Sequence, residues 1–129
     1  MKNLFLFAFI LFTAIVSSCS KNDAVNIVTH QYNATIRVTV SEIIFNNGTY
    51  SDSVLAGAKV DLYANKDDRE NVLPPDYSRI TGSDGKAEFD NLDKTYYYLR
   101  VTNTHNQKII KDETSTPDGT ISLVQIIFQ

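Results

Sequence analysis

Between residues 32 and 40 apolar and polar side chains alternate one for one: Ala34, Ile36, Val38 and Val40 against Thr35, Arg37 and Thr39. Only a β-strand, whose successive side chains point to opposite faces, turns that pattern into a single apolar face. The alternation returns at residues 58–62, with Val60 and Leu62 inward and Lys59 and Asp61 outward, and again at 86–90. At 97–101 the inward set is Tyr97, Leu99 and Val101. Residues 78–81, 108–111 and 120–128 are further strand candidates. The last changes phase, because Ile121 and Leu123 fit one face while Val124, Ile126 and Phe128 fit the other. A bulge or a strand buried on both faces is expected there.

Turn chemistry separates these segments. Asn46-Asn47-Gly48, Ser83-Asp84-Gly85 and Pro117-Asp118-Gly119 supply residues that tolerate positive φ. Pro74-Pro75 forbids regular pairing, which makes residues 65–76 a long surface loop with at most a helical turn near 67–72. About seven short strands with regular turns predict an all-β fold, an antiparallel Greek-key sandwich over residues 32–129.

The N-terminal residues have a different character. Lys2 precedes an apolar run from Leu4 to Val16, shorter than the roughly 20 residues a permanent membrane span needs. It reads as the core of a secretory signal peptide. Val16-Ser17-Ser18-Cys19 follows and resembles the lipobox of bacterial lipoproteins, whose leader is cut before the cysteine and whose thiol carries diacylglycerol. Cys19 is the only cysteine in the chain, so an intramolecular disulfide is excluded. The resemblance implies a signal peptide over 1–18 and a lipidated Cys19 with a flexible tether over 19–31. The domain is then anchored at the outer membrane, on its periplasmic or its surface side. Each buried acyl methylene contributes about 0.8 kcal/mol to such an anchor. Ser20-Lys21-Asn22-Asp23 resembles in part the Lys-plus-acidic export signal of Bacteroidetes surface lipoproteins. A formal charge of −3 and the lack of any Lys/Arg run exclude nucleic acid as a partner.

Within the domain, Val54-Leu55-Ala56-Gly57-Ala58-Lys59-Val60-Asp61-Leu62 resembles the opening of carboxypeptidase regulatory-like domains. Thr81-Gly82-Ser83-Asp84-Gly85-Lys86-Ala87-Glu88-Phe89-Asp90-Asn91-Leu92 resembles their central turn and strand, and Tyr97-Tyr98-Leu99-Arg100-Val101 the tyrosine-led strand that follows. The likeness covers about residues 38–103 and extends to transthyretin-like and collagen-adhesin B-type sandwiches. It implies a fold more than an activity.

Chemistry is sparse. A hydrolase would have to use His30, placed in the tether, or His105, in the turn Asn103-Thr104-His105-Asn106. Neither place suits a catalytic base, so no catalytic residue is assigned. A small transthyretin-like envelope hydrolase and a purely structural spacer remain the alternatives to a binding module. The acids at 67, 68, 70, 84, 90 and 93 interleave with Lys66, Arg69, Lys86 and Lys94 and lack calcium-loop spacing, so neither metal nor cofactor is expected. Tyr96 and Tyr98 point outward if Tyr97 points inward. With Arg100, and joined by Tyr63, they form a candidate binding face for an envelope protein or glycan. Asp52-Ser53-Val54 resembles the O-glycan acceptor of exported Bacteroidetes proteins, which marks Ser53.

Overall fold

The structure, a computed structural model, describes residues 30–129; the leader, Cys19 and most of the expected tether lie outside the described residues. The elements run β1 (Ala34–Asn46), β2 (Thr49–Val54), β3 (Lys59–Tyr63), α1 (Lys66–Glu70), β4 (Tyr77–Ile80), β5 (Lys86–Leu92), β6 (Tyr96–Thr102), β7 (Ile109–Ser115) and β8 (Ile121–Phe128). They form two four-stranded sheets packed face to face, which is the expected all-β sandwich.

In the first sheet β1 is the organiser. One of its sides pairs antiparallel with β5 over residues 34–39 and then with β2 over 41–46; its other side pairs with β8. The handover falls at Val40, whose N–H donates to the Gly85 carbonyl at 2.8 Å and whose carbonyl accepts from Leu55 N–H at 2.9 Å. The β1–β8 pairing is parallel, from Thr35 opposite Ile121 to Glu42 opposite Phe128. A parallel pair needs a long crossover, and here the rest of the domain supplies it. The second sheet is antiparallel throughout, in the order β4-β3-β6-β7.

The inward rows meet as read from the alternation: Ile36, Val38 and Val40 from β1, Val60 and Leu62 from β3, Phe89 from β5, and Tyr97, Leu99 and Val101 from β6 are all buried. Burial pushes the Tyr97 phenol above its ordinary pKa, and its hydroxyl donates to Asp93 Oδ1 at 3.2 Å. The buried Thr81 hydroxyl ties two loops together, accepting from Ala58 N–H at 2.9 Å and donating to the Leu55 carbonyl at 2.6 Å.

Three expectations need correction. Eight strands form among the described residues, because β1 continues to Asn46 and pairs with β2, which has no apolar face of its own. Asn47 and Gly48, at φ of 52° and 81°, make the two-residue turn between them. The second correction concerns β8, which has neither a bulge nor two buried faces. It alternates regularly, with Val124, Ile126 and Phe128 inward and Ile121, Leu123 and Ile127 left exposed. Asp61 is the third: it is on the outer face as expected but buried, held by the Ser78 hydroxyl at 2.6 Å and Lys59 at 3.0 Å.

Candidate functional site

Tyr96, Tyr98, Arg100 and Tyr63 do share the outer face of the second sheet, since β3 and β6 pair Tyr63 with Tyr98 and Asp61 with Arg100. They do not form an open surface. The short α1, capped by the Asn65 side chain accepting from Asp67 N–H, packs across β3 and β6. Tyr63 is only 1% exposed, which removes it from the expected binding face. Desolvation raises the pKa of its phenol. Arg69, 5% exposed, lies over the Tyr98 ring at 5.4 Å and donates to the Asp112 carbonyl at 2.8 Å. Glu70 then joins Arg69 to Lys111, and these two partners, Lys111 foremost, hold its carboxyl below the usual range. Tyr98 therefore acts as a platform for Arg69. Tyr96, set edge-on to Tyr98 at 5.2 Å between centroids, is the tyrosine of the group that stays exposed.

A second surface escaped the sequence reading. Past Ser41 the β1–β2 hairpin leaves the sandwich, and Ile43, Ile44 and Phe45 lie exposed on both of its faces. Phe45 is 62% and Tyr50 73% exposed, and register places them opposite one another. Their rings meet at 4.8 Å with a 45° tilt. With Ile43 and Gln129 they line an open hollow of about 530 Å³. Exposed apolar side chains gathered this way mark contact surfaces rather than folding requirements. The run Ile43-Ile44-Phe45 was the available signal, but its broken alternation hid it. Ser53, in β2, is half-buried within the ladder opposite Glu42.

Of the two histidines only His30 is remote from the hairpin; the β6–β7 turn that carries His105 reaches the hairpin's base, through Asn103 to Glu42 and Lys108 to the Gln129 carbonyl. His30 is exposed and bonds Asp118 at the opposite end of the domain; His105 is exposed in the β6–β7 turn. The backbone amide of Asn33, and then His30, hold the Asp118 carboxyl below the usual range. Neither histidine lines the hollow beside Phe45 and Tyr50, and among the described residues no serine hydroxyl bonds to either. No cluster of three metal-binding side chains occurs among the described residues, and no helix there is long and apolar enough to cross a membrane.

The fold defines an all-β sandwich domain. No family model matches the chain, and a search of curated proteins finds no match either. Among solved structures, the domain is similar to the minor pilin of the gram-positive pathogen Streptococcus agalactiae, at 13% identity and a TM-score of 0.55, over 75% of this chain and 44% of the pilin. It is also similar to the TIE protein of Bacillus anthracis, at 17% identity and a TM-score of 0.45, over 74% of this chain and 16% of that one. A proposed carbohydrate-binding protein of Pseudomonas aeruginosa is similar at 14% identity and a TM-score of 0.45, over 78% and 92% of the two chains. The chain thus spans less than half of the pilin's length, and what the two share is the sandwich.

Proposed function

We propose that this chain is a non-enzymatic lipoprotein of the bacterial outer membrane, anchored through acylated Cys19, whose sandwich presents the β1–β2 hairpin to a protein partner. The observation that carries the reading is the placement of Phe45 and Tyr50. β1 runs 13 residues from Ala34, or about 40 Å, so the hairpin lies at the pole opposite the segment leading back to Cys19. Anchoring from that end leaves the hairpin pole accessible. Ile43, Ile44, Phe45 and Tyr50 offer apolar area and little hydrogen bonding, which suits a protein side chain better than a sugar ring. The likeness to a pilin sandwich agrees with work at the cell surface.

Phe45→Ala with Tyr50→Ala tests the reading. Retention of envelope proteins on the purified chain should fall about tenfold, while the urea midpoint should hardly move because both side chains are exposed. Unchanged retention would remove the hairpin from the proposal. Tyr96→Ala, at the one tyrosine of the sequence-derived group left exposed, assayed on envelope glycans, tests a glycan partner in its place. Cys19→Ala should release the protein from the membrane fraction, and mass spectrometry of the native protein should find diacylglycerol on that sulfur.

A further inference from the structure

The two sheets differ on their outer faces. On the second, α1 and the chain Arg69–Glu70–Lys111 lie across the strands. The first has no helix across it among the described residues, and the pleat sets Arg37, Thr39, Ser41, Ile43 and Phe45 of β1 in one outward row. Leu123, Gln125 and Ile127 flank that row from β8, Lys86 and Glu88 from β5, and Tyr50 and Val54 from β2. The hairpin hollow at Phe45 and Tyr50 is one end of this face. From Phe45 back to Arg37 is about 26 Å along β1. There a second open hollow, of about 510 Å³, is lined by Arg37, Thr39, Lys86, Leu123 and Gln125. Between the two hollows Ser41 is buried while its register partners Val54 and Ile127 are exposed, so aliphatic surface joins them.

The second hollow has donors without acceptors. Arg37 donates through Nε to Glu88, and among the described residues its terminal amino groups bond to no acceptor. Lys86 Nζ is 3.9 Å from Asp84, too far for a hydrogen bond, and Asp84 Oδ1 already accepts from the Lys86 backbone N–H at 3.1 Å. We propose that this hollow takes a carboxylate, an Asp or Glu side chain flanked by apolar residues, from the same protein partner that seats on the hairpin. The inference rests on the hairpin reading and names the chemistry of that partner. The free edge of a guanidinium offers two parallel N–H donors, the spacing that a carboxylate's two oxygens accept. Glu88 orients the guanidinium from its Nε side, and the Lys86 ammonium offsets the negative charge that Glu88 brings. Leu123, 74% exposed beside the two cations, gives the flanking apolar side chains a seat. Sugar rings stack on aromatic side chains, and no aromatic residue lines this hollow.

The experiment titrates the ¹⁵N-labelled exported chain, extracted in detergent, with the peptide acetyl-Leu-Glu-Leu-amide and follows Arg37 Nε–H and the Thr39 and Gln125 amides by NMR. The shifts should saturate with a Kd of about 1 mM, and the matching peptide with Gln for Glu should bind about fivefold more weakly or worse. Arg37→Gln and Lys86→Gln, at half-exposed and exposed side chains, should each weaken the Glu peptide by a similar factor and leave the circular dichroism unchanged. No saturation by about 20 mM overturns the proposal, as do equal affinities for the two peptides. Glucuronate that binds as tightly as the peptide overturns it in favour of an acidic saccharide. A wild-type dimer that Arg37→Gln dissociates overturns it in favour of a second copy on this face. In the retention assay on envelope proteins, loss with Phe45→Ala and Tyr50→Ala but none with Arg37→Gln overturns this inference and leaves the hairpin reading standing.

Discussion

Gly85→Ala should be among the most damaging small substitutions in the molecule. Gly85 sits where β1 exchanges β5 for β2, and its φ of +70° places it in the left-handed region. A methyl group there would lie 2.6 Å from the Val40 carbonyl oxygen, 3.0 Å from Val54 Cβ and 3.3 Å from Leu55 N. None of these is the free end of a flexible side chain. The left-handed conformation alone costs an alanine about 1 to 2 kcal/mol. Moving the Val40 carbonyl away strains its bond from Leu55 N–H and the neighbouring bond from Val40 N–H to Gly85, each contributing about 0.5–1.5 kcal/mol. The sum is about 2–5 kcal/mol, a large share of the 5–15 kcal/mol that holds a typical domain together. For a domain near 100 residues that lowers Tm by about 8–40 °C. Gly119→Ala is the internal control, since Gly119 has a φ of +69° but nothing within 4 Å of its added methyl. It should show the backbone cost alone. Urea titration of both variants with a common m-value gives the difference directly. If Gly85→Ala lies within about 1 kcal/mol of Gly119→Ala, the steric argument for the strand exchange is wrong.

Other substitutions probe the second sheet and the acid response. Arg69→Ala removes the bond to the Asp112 carbonyl and the cover over Tyr98, and should cost about 2–3 kcal/mol by urea titration; Arg69→Lys keeps the charge but not the planar fork and should recover only part of it. Asp118, its folded pKa depressed, adds stability that is present above the unfolded pKa and lost as pH falls through the folded value. Asp118→Asn should therefore flatten the stability profile below about pH 4 and leave the neutral-pH acid response of the rest unchanged. Glu70 has the same sign through Lys111 and Arg69, so Glu70→Gln should flatten the same window, read by thermal melts across pH.

What the chain determined alone is the set of inward residues and the turns. Period-2 alternation is a local property, and a strand that carries it has one apolar face whatever it pairs with, so Val60, Leu62, Tyr97, Leu99 and Val101 were legible before any sheet was built. Asn47-Gly48 and Asp84-Gly85 were legible for a similar reason, because positive φ is written in residue type. The tertiary structure decided which surfaces are covered. Tyr63 and Tyr98 alternate outward like any surface tyrosine, yet a five-residue helix from a proline-rich loop brings Arg69 down on them, and no periodicity in the strands announces a lid. The hairpin went unread because Ser41 through Phe45 has no single apolar face, a strand beyond the core having no opposite sheet to demand one. The phase of β8 was ambiguous for the complementary reason. Its outer row is as apolar as its inner one, and only its place in the first sheet, parallel to β1, shows which row is buried and which is left exposed.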